Sequence, residues 1–247
     1  MKNLILKMAD DALIIGHRNS EWTGIGPVLE EDIAFSSMSQ DKIGHAWALY
    51  RILNEELGGE IPDKVAFARQ EKDFTCCHLV EYPIGEYDFS LVRHFLMDKA
   101  EFHRYDLLLN SSFLPLANLA KKVKGEIKYH VMHAETWMQQ LASGTEEGKA
   151  RIQASLNFAY PIAFSLFEKQ DDEQSLIDAK VFVGEEVLQK IWEEDILHCI
   201  QKYGLTLPSS FDTTPHLGGR KGYHTIHLQP LLHEMTEVFS IDPNATW

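Results

Sequence analysis

Residues 121–140 read KKVKGEIKYHVMHAETWMQQ, and this stretch gives the clearest indication of the fold. In a helix, Glu126, His130 and His133 share one face, because residues three and four positions apart are neighbours. One carboxylate and two imidazoles on an inward stripe are what a metal-binding helix bundle needs. A core that holds a few hydrogen-bonded histidines has the same pattern, so both interpretations stay open at this point.

A second stripe of this kind lies in the long helical segment 28–57, where residues 40–46 read QDKIGHA. Asp41 precedes His45 by four positions, as Glu126 precedes His130. Two distant helices that each carry an acidic residue four positions before a histidine indicate a bundle with two similar halves.

Apolar residues recur at helical spacing along most of the chain, and glycine or proline interrupts the pattern between the segments. Segments with this spacing, each predicted to form a helix, are about 4–16, 28–57, 63–82, 89–110, 113–142, 145–168, 185–203 and 230–238. No segment alternates as a strand would. The fold class is therefore all-α, with long antiparallel helices and short loops that favour a helical bundle.

Composition excludes several classes of function. The net charge of −14 disfavours a nucleic-acid partner, which needs clustered Lys and Arg. No apolar run approaches the roughly twenty residues of a membrane span, and the N-terminus lacks a signal-peptide core. The three cysteines, Cys76, Cys77 and Cys199, give no disulfide framework. We interpret them as buried, reduced thiols of a cytoplasmic protein.

The spacing of the two histidine stripes tests the metal-site hypothesis. Diiron carboxylate bundles use Glu-x-x-His, in which the glutamate stands three positions before the histidine. The residue three before His45 is Lys42, and the residue three before His130 is Ile127. A protonated lysine and an isoleucine offer no ligand, so the pattern indicates the remnant of a diiron site.

Together these motifs make the chain similar to a known family. It resembles the C-subunit family of ring 1,2-phenylacetyl-CoA epoxidase (phenylacetate-CoA oxygenase), the structural paralogues of the catalytic diiron chain, and the resemblance extends over nearly the whole chain. The segments that carry it are Ser20–Trp22, Gln40–His45, Glu126–His130 and, most specifically, the tail GGRKGYHTIHL (218–228) followed by LLHEM (231–235). It implies a ferritin-like helical bundle with extra helices and an irregular C-terminal tail. Residues 1–247 would form one domain, with 204–247 packed on the bundle.

The resemblance also implies a set of replaced ligands. The two histidines of the catalytic paralogue correspond to His45 and His130, and its later acidic ligand corresponds to Asp98. Its two motif glutamates correspond to Lys42 and Ile127. Its early glutamate falls near Ala12, close to Asp10 and Asp11. The sequence therefore predicts vestigial ligand positions, no catalytic residue and no metal in this chain.

The function that the resemblance implies is that of a non-catalytic structural subunit in a multicomponent monooxygenase of aerobic phenylacetate degradation. Its expected partners are other epoxidase subunits, the diiron subunit among them, with contact to phenylacetyl-CoA also considered. The diiron centre would lie in the partner, and NADPH, flavin and iron–sulfur cofactors in a reductase subunit. A homodimer can form when the chain is made alone, because the partner-binding face would then be an exposed apolar patch.

Two other functions remain open on the sequence. The chain could itself be a diiron carboxylate oxygenase that uses a shifted ligand set: Asp41, His45, Asp98, Glu126 and His130. Ferritin-like iron storage is the least supported, because the acidic ligand set is lacking.

Two hypotheses concern individual side chains. We expect Lys42 to reach into the space left by the metals and to pair with Asp98 or another carboxylate, because an unpaired buried charge is costly. We expect Arg220 and Lys221, in the glycine-rich loop of the tail, to contact a partner chain or coenzyme A phosphates. The tail has four histidines: His216, His224, His227 and His233. Zinc is not favoured there, because tetrahedral zinc sites usually have closer, paired ligands and often cysteine, and the tail has neither.

Overall fold

The computed structural model describes residues 1–243, and the last four residues of the predicted tail lie outside the described part. The described residues form helices and turns with no strand, so the predicted all-α class is confirmed, consistent with a ferritin-like helical bundle. The chain divides into two compact units. The N-terminal unit comprises residues 2–83 and 218–243, and the central unit comprises Met1 and residues 84–217. The single-domain expectation stays a prediction.

Long helices make up most of the described chain. In chain order its helices are α1 Lys2–Ser20, α2 Leu29–Leu57, α3 Pro62–Phe67, α4 His78–Glu81, α5 Tyr87–Leu108, α6 Leu114–Gly144, α7 Glu146–Ala163, α8 Glu173–Asp178, α9 Glu185–Lys202 and α10 Leu228–Thr236. Most predicted bounds agree with these to within a few residues. Within residues 1–243, no helix is long and apolar enough to cross a membrane.

The prediction of one continuous helix over 63–82 is wrong. The segment forms α3, a short turn at 71–73, extended backbone from residue 74, and then α4. The physical reason lies in α1, whose carboxylates take the amide hydrogens that a helix would use. Thr75 N–H donates to Asp10 at 2.7 Å, and Cys77 N–H donates to Asp11 at 2.8 Å.

In the N-terminal unit, α1 and α2 pack together in antiparallel directions. Ser39 Oγ donates to the backbone oxygen of Gly16 at 2.6 Å, and Tyr50 OH donates to Asp10 at 2.6 Å. A later residue of α2 therefore contacts an earlier residue of α1, as expected for antiparallel helices. Both helices bury apolar residues along this contact, and α1 is buried over most of its length.

In the central unit, α5 and α6 form a second antiparallel pair. Asp106 pairs with Lys124 near one end, and the rings of Tyr87 and Trp137 meet edge to face at the other, with centroids 6.3 Å apart. Helix α9 packs on α5, where Trp192 Nε1–H donates to the backbone oxygen of Leu96. Each unit therefore contains one long antiparallel helix pair, as the two-halves prediction expects.

A half-buried charge network ties three helices of the central unit together. Lys99 of α5 pairs with Glu135 of α6 and lies 3.1 Å from Asp195 of α9. His103 Nε2–H also donates to Asp195, at 2.7 Å. Burial alone would raise the pKa of Asp195, but the hydrogen bond from His103 and the charge of Lys99 outweigh it and lower the pKa to about 2.

The depressed pKa predicts how Asp195 affects acid stability. A carboxylate with a lowered folded-state pKa stabilises the fold above its unfolded-state pKa of about 4, and this contribution is lost as the pH falls towards the folded-state value. We expect Asp195→Asn to lower the free energy of unfolding at pH 6 and to lose this difference as the pH approaches 2. Urea unfolding across that range measures it, with exposed Asp171→Asn as the control. A difference that does not change with pH would contradict the assignment.

Candidate functional site

The predicted remnant of a metal site in the central unit is a buried cluster on α5 and α6. His94 Nδ1 lies 2.6 Å from one oxygen of Asp98, and His130 Nδ1 lies 3.9 Å from the other. His133 packs edge to face on His94, with ring centroids 5.8 Å apart. The structure thus brings Asp98 and His130 together, and it adds His94, which the sequence did not indicate.

Electrostatics favour a neutral His94. Burial lowers the pKa of His94 to about 4, although the carboxylate of Asp98 acts in the opposite direction. The imidazole is therefore uncharged at neutral pH, beside the carboxylate of Asp98. In the part of the chain that the structure describes, this cluster does not bring three ligand atoms within 4.8 Å of one another.

The burial of each helix face tests which residues could serve as ligands. On α2, Lys42 and His45 are buried and Asp41 is only half-buried; on α6, Ile127 and His130 are buried and Glu126 is only half-buried. The inward positions of the Glu-x-x-His register therefore hold a lysine and an isoleucine.

A diiron centre does not fit this arrangement. Such a centre needs a carboxylate three residues before each ligating histidine, and Lys42 and Ile127 occupy those buried positions with no exposed side-chain surface. The carboxylates of the shifted set, Asp41 and Glu126, do not share the buried face.

In the N-terminal unit, both acidic residues near the predicted early ligand position are bound by protein groups. Asp10 accepts hydrogen bonds from the Arg69 guanidinium, the Tyr50 hydroxyl, and both the backbone N–H and hydroxyl of Thr75. Burial and the adjacent Asp10 raise the pKa of Tyr50 well above its usual value, so Tyr50 keeps its proton. The positive charge that balances Asp10 is that of an arginine.

Arg220 of the tail neutralises Asp11 in the same way. Its two terminal nitrogens each lie 2.7 Å from an oxygen of Asp11, and one of them also donates to the backbone oxygen of Thr75. The side chain of Arg220 is fully buried. The expected contact of Arg220 with coenzyme A or a partner is therefore not favoured, because this guanidinium is already occupied. Lys221 is exposed.

A third buried pair joins the tail to α4. His224 Nδ1–H donates to Glu81 Oε1 at 2.7 Å, and the backbone N–H of Thr225 donates to Glu81 Oε2 at 2.7 Å. Burial alone would lower the pKa of His224, but its hydrogen bond and charge interaction with Glu81 raise it. Arg18 of α1 donates to the backbone oxygens of Glu81 and His227, so α1, α4 and the tail share one polar network.

Two tail glycines allow this close approach. A Cβ atom at Gly219 would overlap the backbone oxygen of Cys76, and one at Gly222 would overlap the backbone oxygen of Lys72. Gly222 also has φ of +79°, a conformation that favours glycine. The motif GGRKGYH therefore works as a docking motif, in which the glycines permit contact and the arginine and histidine supply charge.

Sequence reasoning missed several of these partners, and the signals differed. His94 stands four residues before Asp98 on a helix, a spacing that could have been found. Glu81 and Arg69 carry no local pattern that points to their partners, which lie 143 and 59 positions away. The three cysteines are buried, as predicted, and none of them forms a disulfide with another described residue.

The whole chain matches a known family. The family described as Phenylacetic acid catabolic protein matches residues 1–247. A curated relative is the C subunit of 1,2-phenylacetyl-CoA epoxidase from Escherichia coli (strain K12). It is 28% identical over 242 residues, which cover 98% of this chain and 97% of the relative. This chain therefore belongs to the Phenylacetic acid catabolic protein family.

Proposed function

We propose that this chain is a non-catalytic structural subunit of a multicomponent phenylacetyl-CoA ring 1,2-epoxidase, and that it pairs with a diiron catalytic subunit. The proposal rests on the residues that stand three positions before His45 on α2 and before His130 on α6. Where a diiron chain needs two carboxylates, Lys42 and Ile127 stand here, fully buried. The name of the curated relative, the C subunit of such an epoxidase, supports the same assignment.

Partners and cofactors follow from this role. The diiron centre belongs to the catalytic subunit, and NADPH, flavin and iron–sulfur cofactors belong to a reductase subunit. The complex works in the cytoplasm on phenylacetyl-CoA and molecular oxygen. The contribution of this chain is to stabilise the catalytic subunit, and coenzyme A contact is a secondary role in which Lys221 is the exposed cation of the tail loop.

Exposed apolar side chains on α2 support contact with the catalytic subunit. Leu29, Ile33 and Trp47 are all more than half exposed, at 71%, 60% and 51%, and lie at helical spacing on one face. Contiguous exposed apolar side chains mark protein contacts, and Leu29 and Ile33 are neighbours one turn apart.

The experiment that tests the proposal compares the chain alone with the chain beside its catalytic subunit. We expect the two to co-purify, and we expect turnover of phenylacetyl-CoA only when the reductase is present together with the catalytic subunit. Oxygen-dependent turnover by this chain and the reductase alone would instead favour the shifted ligand set of Asp41, His45, Asp98, Glu126 and His130. The half-buried positions of Asp41 and Glu126 speak against that outcome.

The replacement of metal by protein charge predicts a large effect at Lys42. Its pairing with a buried carboxylate stays a proposal, supported by the complete burial of Lys42. Removing one partner of a buried ion pair typically costs about 3–5 kcal/mol. We therefore expect Lys42→Ala to lower the free energy of unfolding by about this amount in urea titrations.

The matched control is Lys128→Ala, which removes an exposed lysine from α6 and should change stability by no more than about 0.5 kcal/mol. A wild-type melting temperature for Lys42→Ala would contradict a buried ion pair at Lys42.

A further inference from the structure

The tail histidine that docks on α4 also completes a cluster of three different metal-ligand types. Cys76 Sγ lies 3.8 Å from Glu81 Oε1 and 3.9 Å from His224 Nδ1, and Nδ1 and Oε1 are 2.7 Å apart. Among the described residues, this is the group whose thiol, carboxylate and imidazole atoms all fall within 4.8 Å of one another. The cluster lies wholly within the N-terminal unit.

These separations are close to those of a tetrahedral zinc site. With Zn–S near 2.3 Å and Zn–N and Zn–O near 2.0–2.1 Å, neighbouring ligand atoms lie about 3.3–3.6 Å apart. The two distances to sulfur need to shorten slightly, and the Nδ1 to Oε1 distance needs to lengthen by about 0.6 Å on this geometry. Each of these movements is below about 1 Å, which is a size that side-chain rotation can supply.

The groups around the cluster have the arrangement that metal ligands need. A ligating histidine usually donates its second ring nitrogen to a carbonyl or carboxylate, which orients the ring. His224 Nε2–H donates to the backbone oxygen of Phe74 at 3.0 Å, and this leaves Nδ1 as the atom directed at Glu81 and Cys76. The second oxygen of Glu81 is held by Thr225 N–H, so Oε1 is the oxygen that faces the thiol.

Charge also balances when a divalent ion enters. Burial and the carboxylates of Glu81, Asp10 and Asp11 raise the pKa of Cys76, so its thiol is protonated without metal. Both ring nitrogens of His224 face oxygen acceptors, Glu81 Oε1 and the Phe74 carbonyl, which is the hydrogen-bonding pattern of an imidazolium. With the thiol and the carboxylate, the charges then sum to zero. A divalent cation with a thiolate, a carboxylate and a neutral imidazole also sums to zero. Binding thus exchanges one metal ion for two protons, one from Cys76 and one from His224.

We propose that Cys76, Glu81 and His224 form a structural binding site for zinc or a similar thiophilic divalent cation, which fastens the C-terminal tail to α4. This inference does not depend on the proposed function, and it departs from the expectation that the chain binds no metal. The sequence disfavoured a tail site because the tail has no cysteine, but the fold brings Cys76 to His224 from 148 positions away. The site is separate in chemistry from a diiron centre, which uses no thiolate ligand.

Cobalt substitution tests the site, because a cobalt–thiolate bond gives an absorption band that carboxylate and imidazole ligands alone do not give. We expect the full-length chain, stripped with a chelator, to bind one equivalent of Co²⁺ with this band, and Zn²⁺ to displace it. Cys76→Ser should abolish the band, and His224→Gln should weaken binding by more than about ten-fold. Cys199→Ser and His216→Gln, which alter a thiol and an imidazole outside the cluster, should bind like the wild type.

Two further readouts keep the test decisive if a variant fails to fold. X-ray absorption of the zinc-loaded wild type should show one sulfur among nitrogen and oxygen ligands. Zinc affinity should rise with pH, since two protons compete for the ligands. A wild type that binds no metal, a zinc shell without sulfur, or a thiolate band that survives Cys76→Ser would each overturn the proposal.

Discussion

Arg220→Ala is expected to lower the free energy of unfolding by about 3–5 kcal/mol, because it leaves the buried carboxylate of Asp11 without its cation. The pair is bidentate, with both distances 2.7 Å, and the side chain of Arg220 is fully buried. Its hydrogen bond to the Thr75 backbone oxygen is lost as well. Equilibrium unfolding in urea measures the loss.

The adjacent residue provides the control for this prediction. Lys221 is exposed, and Lys221→Ala should change the free energy of unfolding by less than about 0.5 kcal/mol. If Arg220→Ala were no more destabilising than Lys221→Ala, Arg220 would not be the counter-ion of Asp11, and its predicted contact with a partner or with coenzyme A would regain support.

Gly222→Ala is expected to destabilise the chain by more than about 2 kcal/mol, for two reasons that add. The backbone at Gly222 has φ of +79°, which costs a residue with a Cβ about 1 kcal/mol or more. The new Cβ would also overlap the backbone oxygen of Lys72, which cannot move aside as a flexible side chain would. Differential scanning calorimetry should show a clear fall in the melting temperature.

A glycine in a different setting gives the opposite expectation. Within the described residues, nothing lies within 4 Å of a Cβ built at Gly125, which is an exposed position inside α6. Gly125→Ala should therefore stabilise the chain by about 0.5–1 kcal/mol through helix propensity. Equal effects of the two substitutions would contradict the docking role that we assign to the tail glycines.

The long helices could be predicted because their signal is local. Apolar spacing and terminal glycine or proline set the bounds of α2 and α6 to within about two residues, which is as close as such boundaries can be read. The prediction of one helix over 63–82 was wrong because the contacts that decide its structure are not local. Thr75 and Cys77 give their amide hydrogens to carboxylates more than sixty positions away on α1, and no local pattern encodes that competition.

In the candidate site too, the residues that follow a local pattern could be predicted and those with distant partners could not. Glu-x-x-His is a local rule, so the sequence alone could single out Lys42 and Ile127 as the residues at its inward positions, and both are buried there. The role of the tail could not be predicted, because its sequence is typical of a surface loop. The partners of Arg220 and His224, which are Asp11 and Glu81, are distant in the sequence. A basic residue between glycines is compatible with phosphate binding and with a buried ion pair. Only the burial of its side chain distinguishes these two roles, and the sequence does not give that burial.

The most direct test of the account is the iron content of the chain, purified alone after expression with added iron, and measured together with its oxygen-dependent turnover of phenylacetyl-CoA. Because Lys42 and Ile127 stand where the motif needs glutamates, we predict substoichiometric iron and no turnover without the catalytic subunit, whatever the zinc content at Cys76. One or two irons per chain, with turnover that is lost in His130→Ala, would contradict the assignment of this chain as a non-catalytic subunit.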